Sequence, residues 1–494
     1  MFWFAESLLL GWLPVVLLLF FWMPPRRAVV VSLITSWLFL PQLGYTLRFV
    51  PDYTKMSATC YAIIIGALLL DPKSRVLNFK PLWIDLPMLV YCAVPFFTSL
   101  QNELGAYDGL TSCLARIVQH GLPYLIGRLY IRTPEDAKEF AFGVVAGALI
   151  YVPLCLYEAR MSPQLHNIVY GITPYTDWAM AWRWGGWRPT VFLSHGLAVG
   201  VWMAAGATMA VWLWTCGSVK RIYGIPMWLV APLLVLTSVL TRSTGAIMLF
   251  VAVSGLLLSV RYLQTRLFLM GALVSIPLYL LARTTQLFEG VFVAEWISGL
   301  GSTLEHRGNS LRFRMVHENF IVNHVYDRPF LGWGGWGRAF DVYIEEYDSL
   351  AVPDSLWALT FGQNGIVGLA ALYSIYIIPP VLLLKKLRAR EVGSKAIAPV
   401  TGLAAVCLLY AMDCLVNAMI NPVFIVAIGG VAGMAATLTR GVADAAPADA
   451  GPAGARSDGD APADDLLIDV PAPSAPPMVM LDPPSAEGPM GSAP

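Results

Sequence analysis

Charged positions are sparse along this chain, and long apolar stretches lie between them. The stretches run near residues 3–23, 28–47, 56–70, 83–99, 110–127, 139–157, 191–215, 225–240, 245–260, 266–282, 358–384, 397–415 and 423–439. About 20 apolar residues in a helix cross a hydrocarbon core of about 30 Å. The pattern therefore predicts an all-α polytopic membrane protein with thirteen transmembrane helices, or twelve to fourteen given the short 56–70 stretch. Residues 225–260 hold a single charge, Arg242. As one helix they would measure about 54 Å, so the stretch must break. Thr241-Arg-Ser-Thr-Gly245 supplies the polar residues for that break.

Two connections are long, residues 158–190 and about 283–357. In the second, residues 310–326 have the spacing of an amphipathic helix with Ser310 as its N-cap. Gly332-Trp-Gly-Gly-Trp-Gly337 reads as an aromatic turn. From Gly441 the apolar pattern stops. Residues 441–494 hold 11 of the 35 prolines and no aromatic residue, and the one apolar patch, Leu466-Leu467-Ile468, is too short for a core. Such a segment cannot repay the entropy of ordering, so a disordered tail is expected. The chain divides into a membrane domain over 1–440 and this tail over 441–494.

Composition agrees: 57% of residues are apolar and 13% charged, against about 25% charged in a soluble chain. The formal net charge of zero is a cancellation. The tail carries nine acids and one base, and the first 440 residues carry 31 bases against 23 acids. Nothing in this balance suggests a nucleic-acid partner. Alternate connections, starting with Arg26 and Arg27, hold 19 of the 32 bases. The positive-inside rule places these connections in the cytoplasm. The N-terminus and residues 283–357 then face outward, and the tail faces inward. The first segment has no base before it and Arg26-Arg27 after it, which suits an N-out anchor better than a cleaved signal. The seven cysteines lie in or beside apolar segments and no CxxC occurs, so neither a disulfide framework nor a metal site is expected.

Ten bases fall on outer loops or outer helix ends: Arg160, Arg183, Arg188, Arg242, Arg283, Arg307, Arg312, Arg314, Arg328 and Arg338. None of them is lysine. Guanidinium keeps its charge when partly desolvated and offers a planar fork that matches phosphate. An anionic lipid-borne substrate would explain the bias, and pairing with Glu158, Asp177, Glu305, Glu318, Asp327 or Asp341 is the plainer explanation. Arg242 differs from the rest, because an intramembrane arginine in a helix break is a functional candidate by default. His195 opens an apolar helix, where a helix-start role suffices. Asp354 precedes another, where it could cap the helix or act as a general base. Asp85 and Asp413 lie inside apolar stretches and suit helix–helix hydrogen bonding. His317 and His324 are too far apart on one helix to share a metal ion, and no HExxH or Walker A motif appears. No catalytic metal or cofactor is expected.

Several of these segments, taken in order, resemble the O-antigen ligase/polymerase superfamily of bacterial envelope glycan assembly. They are His120-Gly-Leu-Pro-Tyr with Gly127-Arg128, Arg188-Pro with His195-Gly196, Thr241-Arg-Ser-Thr-Gly245, the basic helix of the large loop, Arg328-Pro-Phe-Leu-Gly-Trp-Gly-Gly-Trp-Gly337, and Asp354-Ser-Leu-Trp with Gly362-Gln-Asn-Gly365. The resemblance covers roughly residues 110–440. It implies a GT-C-like glycosyltransferase of the bacterial inner membrane. Such an enzyme moves a glycan from a polyprenyl-pyrophosphate carrier to an acceptor sugar or lipid-linked acceptor at the periplasmic face, with inversion and without metal. Arg242 matches the family arginine of the paired-helix break, and Arg312 or Arg314 that of the large loop. Ligases of the family carry a histidine just before the helix after that loop. Asp354-Ser355 stands there in this chain, which favours a polymerase or another transfer branch. The expected catalytic residues are Asp354, Arg242 and Arg314, and the expected substrate-binding residues are Arg312, Arg188, His195, Arg328, Trp333 and Gly334.

Two other classes compete. A transporter or flippase would need charged groups along a mid-membrane path and usually an internal repeat, whereas the arginines here gather at one surface. A non-catalytic scaffold would gather envelope-synthesis proteins through the cytoplasmic tail. The topology has a direct test. An impermeant thiol reagent added from outside is expected to label a cysteine placed at Gly301 and to miss one at Gly451; the reverse pattern overturns the assigned orientation.

Overall fold

The structure is a computed structural model that describes residues 2–47, 51–173 and 181–437. The tail and Asp177 lie outside the described residues. Among the described residues, each of the thirteen apolar stretches contains helix. Among the described residues, six helices are by themselves long and apolar enough to cross a membrane: Trp83–Gln101, Pro134–Met161, Gly196–Thr215, Thr244–Leu263, Leu267–Thr284 and Leu356–Lys386. The pair Trp3–Leu10 and Trp12–Trp22, bent by 45°, makes a seventh if it acts as one span.

The other stretches are shorter as helices than as apolar runs. Residues 28–47 are helical over Pro25–Phe39. The 110–127 stretch is assembled from Gly105–Arg116, a π turn Ile117–Gly121 and Leu122–Tyr130. Lys55–Leu70, Met227–Leu240, Ala398–Asp413 and Pro422–Thr437 have 14 to 16 residues, a rise of only about 21–24 Å. Apolar composition marks what can be buried in lipid or protein, whereas helix length is set by breakers and by neighbours.

Gly196–Thr215 is the hub of the bundle. Its Gly- and Ala-rich sequence lets Pro134–Met161, Met227–Leu240, Thr244–Leu263 and Ala398–Asp413 approach closely around it. The Trp212 indole donates to the Ala398 carbonyl at 3.0 Å and to Thr401 Oγ1 at 3.1 Å, so the one polar atom of that large side chain is satisfied within the core. Thr244–Leu263 and Leu267–Thr284 lie at the periphery and expose Met248, Val251, Leu278 and Leu281. The acids inside apolar segments are bonded between or within helices. Asp85 pairs with Arg128 at 2.7 Å and accepts from the Tyr124 hydroxyl, and Asp413 accepts from Asn417 at 2.6 Å.

The 283–357 connection is largely ordered around two helices, Val291–Gly299 and Ser302–Val325. Two expectations need correction. The amphipathic helix starts at Ser302 and not after Ser310, which is an interior residue. No side chain caps that start, and the two helices pack closely at Gly308, where a Cβ would meet Ser298 Oγ at 1.9 Å. The 358–384 stretch is not continuous either. Leu356–Lys386 breaks at Gly365, whose φ of 59° and ψ of −161° no ordinary side chain adopts cheaply. Four backbone bonds from the 329–334 turn satisfy the groups freed by the break. Ile366 and Val367 donate to the Pro329 and Phe330 carbonyls at 2.8 and 3.2 Å, and Trp333 and Gly334 donate to Gly362 and Gln363 at 2.9 and 3.0 Å.

One buried ion pair fastens the loop helix to the bundle. Arg283, at the end of Leu267–Thr284, meets Glu318 at 2.9 Å, and both side chains are buried. Arg283 also donates to Asn319 at 2.8 Å, and the second Glu318 oxygen accepts from Ser355 Oγ at 2.5 Å. Removing one member of such a pair strands the other charge. Glu318→Ala is expected to destabilise the protein by about 3–5 kcal/mol. Arg283→Met with Glu318→Leu is expected to recover much of that loss, as read by thermal unfolding of the detergent-solubilised protein. Equal stability of Glu318→Ala and wild type contradicts this role for the pair.

Candidate functional site

The break predicted at 241–245 lies between Met227–Leu240 and Thr244–Leu263. Arg242 sits in it with φ 54°, a left-handed conformation that is uncommon for a long side chain. Its Nη1 donates to the Trp187 carbonyl at 2.6 Å. Trp187 belongs to a small hairpin in which Trp182 pairs with Trp187 and Arg183 with Gly186. A Cβ on Gly186 would lie 2.3 Å from the Arg242 guanidinium, so a side chain there would push the guanidinium off the hairpin. Arg188, the next residue in the chain, donates from Nη2 to the Arg242 carbonyl at 3.3 Å. A Cβ on Gly196 would strike the Arg188 stem at 2.3 Å, so that glycine clears the path of the second arginine.

The irregular 188–195 segment is held from below by Glu158, near the end of Pro134–Met161. Its carboxylate accepts from the Leu165, Thr190 and Val191 amides at 2.8, 2.8 and 2.7 Å. Val191, β-branched at φ 50°, is kept there by that bond. Glu158 therefore binds backbone, not an arginine. His195 N-caps Gly196–Thr215, its Nδ1 accepting from the Leu197 amide at 3.0 Å. An imidazole nitrogen that accepts must be unprotonated. Burial, then the nearby charges of Arg188, Arg183 and Arg314, press the His195 pKa down to about 4.

Arg314 and Asp354 complete the group. Arg314 Nε lies 3.2 Å from Asp354 Oδ2, and both side chains are partly exposed. Arg314 Nη1 also donates to the Val416 carbonyl at 2.8 Å in the turn after Ala398–Asp413. Asp354 is not the helix cap: Ser355 is the N-cap residue, and its hydroxyl goes to Glu318 and not to a helix amide. The capping explanation for Asp354 is thereby replaced by an ion pair.

Five of the nine expected site residues thus gather: Arg188, His195, Arg242, Arg314 and Asp354. The other four lie elsewhere. Arg312, two residues from Arg314 on the same helix, points to Glu346, Glu295 and the Tyr347 hydroxyl. Arg328 donates to Asn102 at 2.8 Å and lies 4.6 Å from the Trp333 ring centre. Trp333 stacks on His324 at 4.3 Å, and the Trp333 and Gly334 amides close the Gly365 break, so these residues build the turn that supports the helix. The sequence marks Glu158 only as a possible arginine partner, since its bonds to distant amides leave no local signature. Sequence reasoning passed over the hairpin, although Arg183-Trp-Gly-Gly-Trp-Arg188 carries a legible turn.

Among the described residues, no carboxylate lies within ion-pair distance of Arg183, Arg242 or Arg307, and no three His, Cys, Asp or Glu side chains are grouped as a metal site would group them. The site is a group of guanidiniums, Arg188 buried and Arg242 half-buried, with one carboxylate at its margin, an arrangement suited to an anion and to a proton acceptor beside it. No protein-family model matches the chain, and no curated protein matches it in sequence.

The His195 cap has a pH consequence. Its folded pKa lies below the unfolded value of about 6.5, so the unfolded state binds more protons between the two values. The stabilisation is full above about pH 6.5 and fades as pH falls towards about 4. His195→Asn keeps a capping side chain that does not titrate in this range. Its melting temperature is expected to fall less steeply than that of wild type from pH 7 to pH 4. Parallel curves would show that His195 does not contribute this dependence.

Proposed function

We propose that the protein is a membrane glycosyltransferase that moves a glycan from a polyprenyl-pyrophosphate carrier to an acceptor sugar. The reading is of the O-antigen ligase/polymerase type, at the periplasmic face of a bacterial inner membrane, with thirteen spans, the N-terminus outside and the tail in the cytoplasm. The observation that carries it is Arg242 in a helix break, joined by Arg188 and lacking any described carboxylate partner, near the Arg314–Asp354 pair.

In this reading the acceptor hydroxyl attacks the anomeric carbon. The new glycosidic C–O bond forms as the bond to pyrophosphate breaks, and inversion results. The electron pair of the broken bond leaves with the carrier pyrophosphate, where Arg242 and Arg188 stabilise the developing charge. Asp354 takes the hydroxyl proton, and Arg314 fixes the carboxylate that receives it. The good leaving group is supplied with the lipid, so the reaction draws on neither nucleotide nor ATP. The one-sided arginines support transfer at a surface over transport through the membrane.

Purified protein incubated with an undecaprenyl-pyrophosphate glycan is expected to yield longer glycan or released carrier. Arg242→Lys retains charge and loses the bidentate fork, so the rate is expected to drop by about tenfold or more, each tenfold being about 1.4 kcal/mol. Asp354→Asn removes the base and an exposed ion pair that contributes only about 0–1 kcal/mol. It is expected to abolish transfer while leaving thermal stability nearly unchanged. Wild-type transfer by well-folded Asp354→Asn rules out the base role, and transfer unaffected by Arg242→Lys rules out the pyrophosphate role.

A further inference from the structure

The hairpin beside Arg242 carries more charge and more aromatic surface than the transfer step uses. Trp184 and Gly185 form its turn at φ 52° and 66°. A two-residue turn of this kind wants Asn or Gly in the first place, yet a bulky indole is held there. Trp182 and Trp184 are 50% and 52% exposed, and Trp182 packs edge-on against Trp187 with ring centres 4.8 Å apart. Two arginines flank this surface. Arg307, from the Ser302–Val325 helix, lies 5.7 Å from the Trp184 ring centre. Arg183 has a buried Nε with no hydrogen-bond partner. Among the described residues, neither arginine has a carboxylate within ion-pair distance.

The two guanidiniums feel each other. Burial, and then the charge of Arg183, lower the Arg307 pKa. Two like charges, brought from separate segments of the chain into partial desolvation with a donor left unused, are a standing cost unless an anion comes between them. The indoles define what else that anion carries. An exposed tryptophan face is a flat apolar platform with a polar edge, which matches the C–H face of a pyranose ring ringed by hydroxyls. The hairpin is also continuous with the transfer site, because Arg242 donates to its Trp187 carbonyl.

We propose that the Trp182–Trp187 hairpin reads the glycan and selects an acidic sugar. Trp182 and Trp184 carry the pyranose faces, and Arg183 with Arg307 takes the sugar carboxylate. This rests on the reading of the neighbouring site as a glycan transferase and adds the class of glycan. The shared chemistry is an anionic oxygen pair, which a uronic acid or a phosphate of the carrier could supply, and the arms of the test separate the two.

Full-length protein in lipid nanodiscs is titrated calorimetrically with three probes: oligogalacturonate, the same oligomer after carboxyl reduction, and farnesyl pyrophosphate. Wild type is expected to bind the acidic oligomer and to bind the reduced one at least about tenfold more weakly, as loss of charge-assisted hydrogen bonds implies. Arg183→Gln and Arg307→Gln should each weaken the acidic oligomer by about tenfold while leaving farnesyl pyrophosphate unchanged. Trp184→Ala should weaken both oligomers, and Trp184→Phe should retain most of the affinity. If Arg183→Gln folds poorly, Arg307→Gln on the other segment reads the same pair. Absence of oligogalacturonate binding, equal binding of the two oligomers, or loss of farnesyl pyrophosphate binding in the glutamine variants overturns the proposal, the last by assigning the arginines to the carrier. Arg242→Gln separates this from the transfer reading. It should weaken farnesyl pyrophosphate alone, and if farnesyl pyrophosphate fails to bind wild type, the donor assignment falls while the hairpin result stands or falls by itself.

Discussion

The Arg283–Glu318 pair is the fastening on which the half of the molecule that carries the loop helix depends. It joins the end of one apolar helix to the middle of the loop helix, and Glu318 passes the restraint on to Ser355 at the start of Leu356–Lys386. Arg314 lies one helical turn before Glu318, and Asp354 is the residue before Ser355. Once the buried pair is made, Arg314 and Asp354 are brought face to face as a consequence. A buried pair of this kind is weak evidence for stability, since desolvation offsets much of the attraction. Its value here is positional, because an apolar contact could slide where a hydrogen-bonded ion pair cannot.

The arginines follow a different logic. Arg242 occupies a conformation that costs energy, rests its guanidinium against Gly186, and shares its carbonyl with a second arginine. Glu158 holds the backbone that delivers Arg188 and His195, so a carboxylate works from beneath the site without neutralising it. Positive charge is thereby concentrated where the local carboxylates are occupied elsewhere. In the proposed reading, an anion would meet donors already in place.

The turn containing Arg328, Trp333 and Gly334 shows how a chemical-looking motif can be structural. Its glycines and indoles attract attention in the sequence, yet their backbone groups close the gap that Gly365 opens in a helix. Unpaired amides within a membrane bundle are expensive, and this turn removes that expense by docking on the break.

The sequence by itself determined the class of the protein. Apolar runs and sparse charge are enough for a helical membrane chain, since every backbone group in lipid must bond within its own helix. It also determined the break at Arg242, because no helix of that length fits a bilayer. The gathering of five expected residues was legible in part, as Arg188, His195, Arg242 and Asp354 lie near an end or interruption of an apolar stretch, whereas Arg314 lies inside the loop helix. Tertiary structure alone decided the rest. Arg312 and Arg314 are two residues apart and equivalent in sequence, but helical rotation sends one to Glu346 and the other to Asp354. The capping role open to Asp354 was lost to Ser355, and the loop helix runs on through its close packing at Gly308 to begin at Ser302. These outcomes depend on which distant group occupies a given direction, and composition and spacing carry no record of direction.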